Sequence, residues 1–173
     1  MYHHFKGNRL SRSEKIERLV VNRILESPIP DKPREESKIF ELKHINSCIQ
    51  ITRLLAIKRG LDRDLATVIA ALHDLSVIDT GSYKEHAHRS AELAKPLLSD
   101  FTEDEQKTII NAIYNHSDKQ VYSKDQYTEL IKDADTLDCC LYDDTVYSAE
   151  KPPEIAKEYM NRYKKVKQEL GLK

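Results

Sequence analysis

The sequence predicts an all-α protein with a single domain. Apolar residues recur every three or four positions in several stretches, and no stretch shows the strict alternation that is typical of a half-buried strand. Only 4 of the 173 residues are glycine, while 39% are hydrophobic and 33% are charged, which is typical of helices with charged outer faces. A chain of this length can bury a sizeable core in one domain.

The N-terminal part predicts one helix followed by a break. Ser11 or Ser13 can cap a helix that continues to about Glu26 and carries an apolar stripe. The prolines between positions 28 and 33 cannot continue this helix, because proline lacks an N–H donor and clashes with the preceding turn. We therefore expect residues 1–34 to form a helix and a proline-rich connector that pack on the rest of the chain.

Two helices are predicted next, and each carries a histidine on its apolar side. The first runs from about Glu35 to Arg59 and has His44 in the middle of its apolar stripe. Asp62 can cap the second, whose apolar run continues directly into His73 and Asp74 before turn residues at 78–82 end it. A buried carboxylate beside a buried imidazole is costly unless a cation compensates it.

The following helices also present polar residues among apolar ones. A helix over about residues 83–99 carries His86 and His88, and a helix that starts with a capping box at Thr102 and Glu105 ends near His116. Either Asp125 or Ser123 can cap the helix that contains Asp135.

The C-terminal part predicts one more helix. Pro152 and Pro153 begin it, and it is rich in lysine. We expect residues 35–145 to form a helical core and residues 146–173 a peripheral C-terminal helix.

Side chains of the types that bind metals lie on predicted apolar faces of several helices. They are His44, His73, Asp74, His86 or His88, His116 and Asp135. One buried histidine is ordinary, but several unpaired buried polar groups are expensive, and a shared metal would satisfy most of them at once. Nitrogen and oxygen ligands without thiolate suit Mn, Fe, Co, Ni, Zn or Mg. The sequence therefore predicts one or two divalent metal ions as the cofactor.

The order of these residues resembles the H…HD…D signature of the HD-domain superfamily of metal-dependent phosphohydrolases. The four local stretches that carry the resemblance are Ala71-Leu72-His73-Asp74-Leu75, His86-Ala87-His88-Arg89-Ser90-Ala91, Ile113-Tyr114-Asn115-His116-Ser117 and Lys132-Asp133-Ala134-Asp135-Thr136-Leu137. They are similar to the family's LLHD(I/L), HxxxGA, AIxxHS/T and DADxL elements, with Ser90 in place of glycine. The resemblance covers about residues 40–140 and implies an orthogonal helical bundle of the HD-domain type.

The resemblance also implies which residues hold the metals. His44, His73, Asp74 and Asp135 match the ligands of one ion. In family members with two ions Asp74 bridges, and His86 and His116 match the ligands of the second ion, with His88 as the competing choice for His86. The catalytic roles fall on Asp74 and His73, with Asp74 holding or orienting the nucleophile.

The implied substrate is a small phosphorylated molecule, most naturally a nucleotide, that a metal-activated water attacks. Cations close in sequence to the ligands are candidates for binding phosphate: Arg89, Lys84, Lys119 and Arg53. The stretch Leu75–Ile78 departs from the family, which often carries charged residues just after the HD pair.

Three other functions remain open at this level. The chain is alternatively a non-catalytic HD-fold module that binds or senses a nucleotide, a di-iron HD-type oxygenase that uses the same six ligands, or a helical interaction protein with coincidental histidines. Metal content and turnover separate these possibilities.

Charge and cysteine content limit the expected partners and compartment. The net charge of −1 gives no reason to expect nucleic acid as a partner. No apolar run approaches the ~20 residues of a membrane-spanning helix, and the sequence starts without an apolar signal core. Three cysteines, two of them adjacent, make no disulfide framework, so we expect a cytoplasmic protein. A homodimer through the terminal helices is compatible with the sequence.

Overall fold

The structure is a computed structural model that describes residues 4–149 and 151–172, the side chains of 144–149 excepted. The described residues form α-helices, one short 3₁₀ turn at Lys95–Leu97 and no strand, which confirms the all-α prediction. The helices are α1 (Arg12–Glu26), α2 (Lys38–Arg59), α3 (Arg63–Leu72), α4 (Leu75–Thr80), α5 (His86–Ala94), α6 (Glu103–Asn115), α7 (Gln126–Ala149) and α8 (Pro153–Leu170). Helix α7 is interrupted at Asp143, which has the non-helical angles φ −164° and ψ 107°. The predicted boundary at residue 145 falls just after this interruption, and the division into 1–34, 35–145 and 146–173 stays a prediction.

Most helix starts follow the capping residues in the sequence. The Ser11 side chain accepts a hydrogen bond from the Glu14 backbone and completes a capping box, and Thr102 does the same with Glu105. Asp125, rather than Ser123, accepts from the backbone N–H of Thr128 at 2.7 Å. These side chains satisfy N–H groups that have no partner within the first helical turn.

The helix predicted through His73 and Asp74 is in fact two helices. It ends at Leu72 and restarts at Leu75, and Asp74 between them has φ −110° and ψ 24°. The backbone N–H of Ser76 donates to Ser90 Oγ at 3.0 Å, and Ser76 Oγ donates to the His86 carbonyl at 3.1 Å. The break thus exchanges helical hydrogen bonds for bonds to α5, which brings His86 close to Asp74.

The helix predicted over residues 83–99 is shorter than expected. Glu85 adopts a left-handed conformation with φ 53°, so the helix cannot include Tyr83 and begins at His86. It becomes a 3₁₀ turn at Lys95, next to Pro96. The second helix, α2, likewise begins three residues later than predicted, with Ser37 as its cap.

Helix α3 lies at the centre of the bundle. Every residue from Leu65 to Leu72 is buried, and α3 packs against α1, α2, α5, α6 and α7. Its apolar side chains join the main core, which includes Ile16 and Val20 of α1 and Ile109 of α6. Because α3 is enclosed on all these sides, the residues that follow it, His73 and Asp74, also lie inside the protein.

A second, smaller core holds α8 against α2 and α7. Tyr163 and Val166 of α8 pack with Leu55 of α2 and Leu137 of α7. Arg162 of α8 is fully buried. The C-terminal helix therefore takes part in the core as well as in the surface of the bundle.

Gly81 ends α4 at a point where a side chain has no room. It adopts φ 69°, and a Cβ added there would lie 2.9 Å from Cγ and 3.3 Å from Cα of Arg34. The Arg34 guanidinium donates to the carbonyls of Val77 and Ile78 at 3.0 and 3.2 Å, so the arginine is fixed in place. These contacts couple the proline-rich connector to the end of α4.

We expect Gly81→Ala to lower the free energy of unfolding by about 2–3 kcal/mol, because it adds a clash to the cost of a left-handed alanine. Urea denaturation measures the loss. Gly60→Ala is the matched control, since Gly60 has φ 67° but open space around the added Cβ. It should lower the free energy of unfolding by only about 1 kcal/mol. Equal losses in the two variants would contradict the role given to Arg34.

Among the helices of the described residues, none combines the length and the apolar character that crossing a membrane requires.

Candidate metal centre

Three buried or partly buried histidines are held in the same way by their own chain. The Nδ1 atoms of His73, His86 and His116 lie 2.8, 2.7 and 2.7 Å from the carbonyl oxygen three residues earlier in each case. A carbonyl only accepts, so each Nδ1 carries the proton. In the neutral ring, Nε2 then has a free lone pair, which is the state that binds a metal.

The fourth histidine, His44, is oriented by a side chain from another helix. Its Nδ1 donates to Oδ2 of Asp138 on α7 at 2.6 Å, and its ring stacks on Phe40 with the two planes 5° apart. Asp138 is not among the ligands predicted from the sequence. Its spacing of three residues from Asp135 on one helix was the available signal, because such residues share a helix face.

Asp74 lies between two pairs of histidines. Its Oδ2 is 3.5 Å from Nε2 of His44 and 3.3 Å from Nε2 of His73, while its Oδ1 is 3.4 Å from Nε2 of both His86 and His116. Within the pairs, the Nε2 atoms of His44 and His73 are 3.2 Å apart, and those of His86 and His116 are 3.1 Å apart. One carboxylate therefore faces two separate groups of nitrogen donors.

Asp135 completes the first group and also contacts a cation. Its Oδ1 lies 3.7 Å from Nε2 of His44 and accepts from the Cys139 thiol at 3.3 Å. Its Oδ2 lies 2.5 Å from Nζ of Lys119, which is buried. The sequence suggested Lys119 only as a phosphate contact, whereas the structure pairs it with a candidate metal ligand.

The electrostatics of the metal-free cluster favour anionic carboxylates and a neutral His116 imidazole. Burial raises the pKa of Asp74, but the neighbouring His73, His116 and His44 together outweigh burial and hold this pKa well below its usual range. The pKa of Asp135 is also lowered, because Lys119 together with His44, His73 and His116 outweighs burial there. Burial lowers the pKa of His116 to about 4, so this ring is neutral at pH 7.

These donors fit divalent ions. Lone pairs on facing Nε2 atoms repel one another unless a cation lies between them, and Oδ1 of Asp74 is buried without a hydrogen bond. Donor atoms of His44, His73 and Asp135, with the Cys48 thiol, lie within 4.8 Å of one another, as do donor atoms of His73, Asp74 and His116. Burial raises the pKa of Cys48 to about 12 in the metal-free protein, so its thiol is protonated there, and the other donors of both groups are nitrogen and oxygen.

His86, and not His88, faces the cluster. His88 is exposed and stacks on Tyr114 with ring centroids 4.0 Å apart. Helix α5 turns His86 and Ser90 inward, and these positions are four residues apart on one face. Residues 88 and 89 consequently lie on the outer side of α5.

The structure does not bring three of the four candidate phosphate-binding cations to the cluster. Arg89 is exposed, and its Nη2 lies 3.7 Å from Oε2 of Glu85. Lys84 is exposed on the segment before α5. Arg53 pairs with Glu17 of α1 at 2.6 Å. Closeness in sequence to a ligand was misleading for these residues, because the direction of a side chain on its helix decides what it reaches.

A cavity of about 570 Å³ opens onto the candidate metal ligands. Four of them, His44, Asp74, His86 and Asp135, line it. Its other lining residues are Glu35, Glu36, Phe40, Tyr83, Ser117, Lys119, Cys139, Lys151 and Tyr159. A larger and mostly apolar cavity of about 690 Å³ lies between α1 and α2 and includes none of the predicted ligands.

The comparisons with known proteins agree with this geometry. A family model described as HD domain matches residues 42–139, which is more than half of the chain. The match contains all six predicted ligands and leaves α1 and α8 outside. No curated protein and no solved structure matches the chain.

Proposed function

The chain belongs to the HD-domain family, and from this premise we propose that it is a metal-dependent phosphohydrolase acting on a small phosphate ester or anhydride, such as a nucleotide. The observation that carries the proposal is the position of Asp74, whose two oxygens face two different pairs of imidazole nitrogens at 3.3–3.5 Å. A carboxylate so placed is suited to bridge two ions. The open cavity beside it gives a small substrate access.

We assign the ligands of the two ions from these distances. His44, His73 and Asp135 would hold one ion, His86 and His116 would hold the other, and Asp74 would bridge them. Divalent ions held there would lower the pKa of a bound water, so that hydroxide would be available to attack phosphorus near neutral pH, and would supply positive charge for the phosphate oxygens.

The side chains of the protein fix the geometry around this chemistry. Asp138 keeps the His44 ring in one orientation, and the main-chain carbonyls do the same for the other three histidines. The ammonium group of Lys119 pairs with Oδ2 of Asp135, and Oδ1 of Asp135 is directed towards His44. Lys119 also lines the cavity, so its ammonium group is placed to contact a phosphate oxygen.

Metal analysis and a hydrolysis assay test the proposal together. Protein purified without chelators should contain about two equivalents of divalent metal, and His44→Ala and Asp135→Ala should each lose most of it. The loaded protein should release p-nitrophenol from bis(p-nitrophenyl) phosphate or p-nitrophenyl phosphate, and the two variants should not. Bound iron with dioxygen consumption and no phosphate chemistry would overturn the proposal in favour of an oxygenase.

The second ion can be tested separately with two neighbouring histidines. We expect His86→Ala to lose about one equivalent of metal, because its Nε2 is part of the second group of donors. His88→Ala is the matched control and should keep the full metal content, since its ring stacks on Tyr114 outside the cluster. Elemental analysis of both variants decides, and metal loss in His88→Ala alone would contradict the assignment.

A further inference from the structure

Two residues of one cavity wall come from outside the matched residues 42–139. Lys151 lies just before α8 and Tyr159 lies within it, and both line the cavity together with Lys119. Nζ of Lys119 lies 5.7 Å from the centre of the Tyr159 ring, and Nζ of Lys151 lies 5.1 Å from it. We call Lys119, Lys151 and Tyr159 the lysine wall. It gathers two ammonium groups around one aromatic ring beside the metal centre.

The lysine wall is held in place by α8. The Tyr159 hydroxyl donates to the Ser117 carbonyl at 3.2 Å, and Arg162 Nε donates to the Lys119 carbonyl at 3.1 Å. Arg162 is fully buried and pairs with Glu129 and Asp133 of α7 at 2.7 and 2.5 Å. The loop after α6 is thereby fixed against α8, so Lys119 and Tyr159 are held next to each other before any substrate binds.

The cavity lining contains both acidic and basic side chains. The acids Glu35 and Glu36 enter the lining from the segment before α2, and Glu35 accepts hydrogen bonds from Ser82 and the Tyr83 backbone. The lysines among the described residues that line the cavity are Lys119 and Lys151. Lys119 touches Asp135 directly, so an anion on the lysine wall would adjoin a phosphate held at the metal centre.

We infer that the lysine wall is a second anion subsite, and that the protein takes substrates in which the phosphate at the metals is joined to another phosphate group. This inference rests on the proposed function and narrows it from phosphate compounds in general to phosphoanhydrides. The metal centre binds the phosphate that is cleaved, and Lys151 and Lys119 bind the oxygens of the neighbouring phosphate as charge-assisted donors. A phosphate monoester leaves the second subsite empty and therefore binds more weakly than a phosphoanhydride.

Two phosphonates that resist hydrolysis provide the test. Methylphosphonate offers one anionic group, and methylenediphosphonate offers two, joined by a carbon. Calorimetry on the metal-loaded protein should show that methylenediphosphonate binds about tenfold or more tightly than methylphosphonate. Lys151→Met should remove about tenfold of the diphosphonate affinity and leave the methylphosphonate affinity nearly unchanged. Lys107→Met, which changes an exposed lysine on α6, is the control and should behave as the unaltered protein.

Each other outcome overturns a defined part of the inference. Equal binding of the two phosphonates would overturn the second subsite while the proposed function stands. A preference that persists in Lys151→Met, with metal content unchanged by elemental analysis, would show that the metals alone bind the second group and would overturn the lysine wall. No binding of either phosphonate to fully loaded protein would overturn the proposed function and this inference together.

Discussion

Replacing Asp74 with asparagine is expected to remove both metal ions and to lower hydrolytic activity by about a thousandfold or more. Asparagine has the shape of aspartate but no charge, so it cannot balance two divalent ions. Both oxygens of Asp74 are involved, because each faces its own pair of histidine nitrogens. Elemental analysis after desalting and an assay with excess metal measure the two losses separately.

Asp79→Asn is the matched control for this substitution. Asp79 lies on α4, the helix that follows Asp74, and it pairs with Arg23 of α1 at 2.5 Å outside the cavity. We expect this variant to keep its metal and its activity. If Asp74→Asn retained about two equivalents of metal, Asp74 would not bridge. If it lost both its metal and its helical circular dichroism signal, the ions would be structural rather than catalytic.

The sequence was sufficient to predict most of the helices and to place several candidate ligands on buried helix faces. The apolar period fixes which face of a helix is buried, so His44 and His116 were placed inside without any knowledge of the fold. The cap at Thr102 lies where the sequence put it, because a capping box depends only on residues three apart, and Ser11 is the one of the two candidates, Ser11 and Ser13, that caps α1. Predictions of this kind succeed since their causes are local.

The break between α3 and α4 was not predictable in the same way. The apolar pattern continues from Leu65 to Ile78 without a glycine or proline, so the sequence favours one continuous helix. The bond from Ser76 to Ser90 of α5 replaces a helical hydrogen bond there. A contact between residues 14 positions apart on different helices leaves no periodic signal in the chain.

The side-chain contacts that orient the candidate ligands were also not predicted, for the same reason. Asp138 and Lys119 contact the candidate ligands His44 and Asp135. The lysine wall depends on α8, which meets the loop after α6 only in the folded chain, through Arg162 and Lys119. Ligand positions follow from motifs, but the groups that orient them follow from packing between distant segments.

A buried acid close to the metal centre leads to the other large effect that we expect. Glu41 of α2 is fully buried; its Oε1 accepts from the Tyr83 hydroxyl at 2.9 Å, and its Oε2 has no hydrogen-bond partner. Burial, followed by the charge of Asp74, raises its pKa to about 7 in the metal-free protein. Because the folded pKa exceeds the unfolded value of 4.5, the native state favours the protonated acid. The stability from this group is complete below pH 4.5 and is lost as the pH rises through about 7.

Glu41→Gln should therefore stabilise the metal-free protein at pH 8 by about 2 kcal/mol more than at pH 5. Urea denaturation of chelator-treated protein at both pH values measures the difference. Glu17→Gln is the control, because Glu17 is also buried with a raised pKa but pairs with Arg53 at 2.6 Å, so its removal leaves a cation unpaired and brings no gain. An equal gain at both pH values would exclude titration of Glu41 as the cause. Divalent ions near Asp74 favour ionised Glu41, so the same comparison on loaded protein should show a smaller pH dependence.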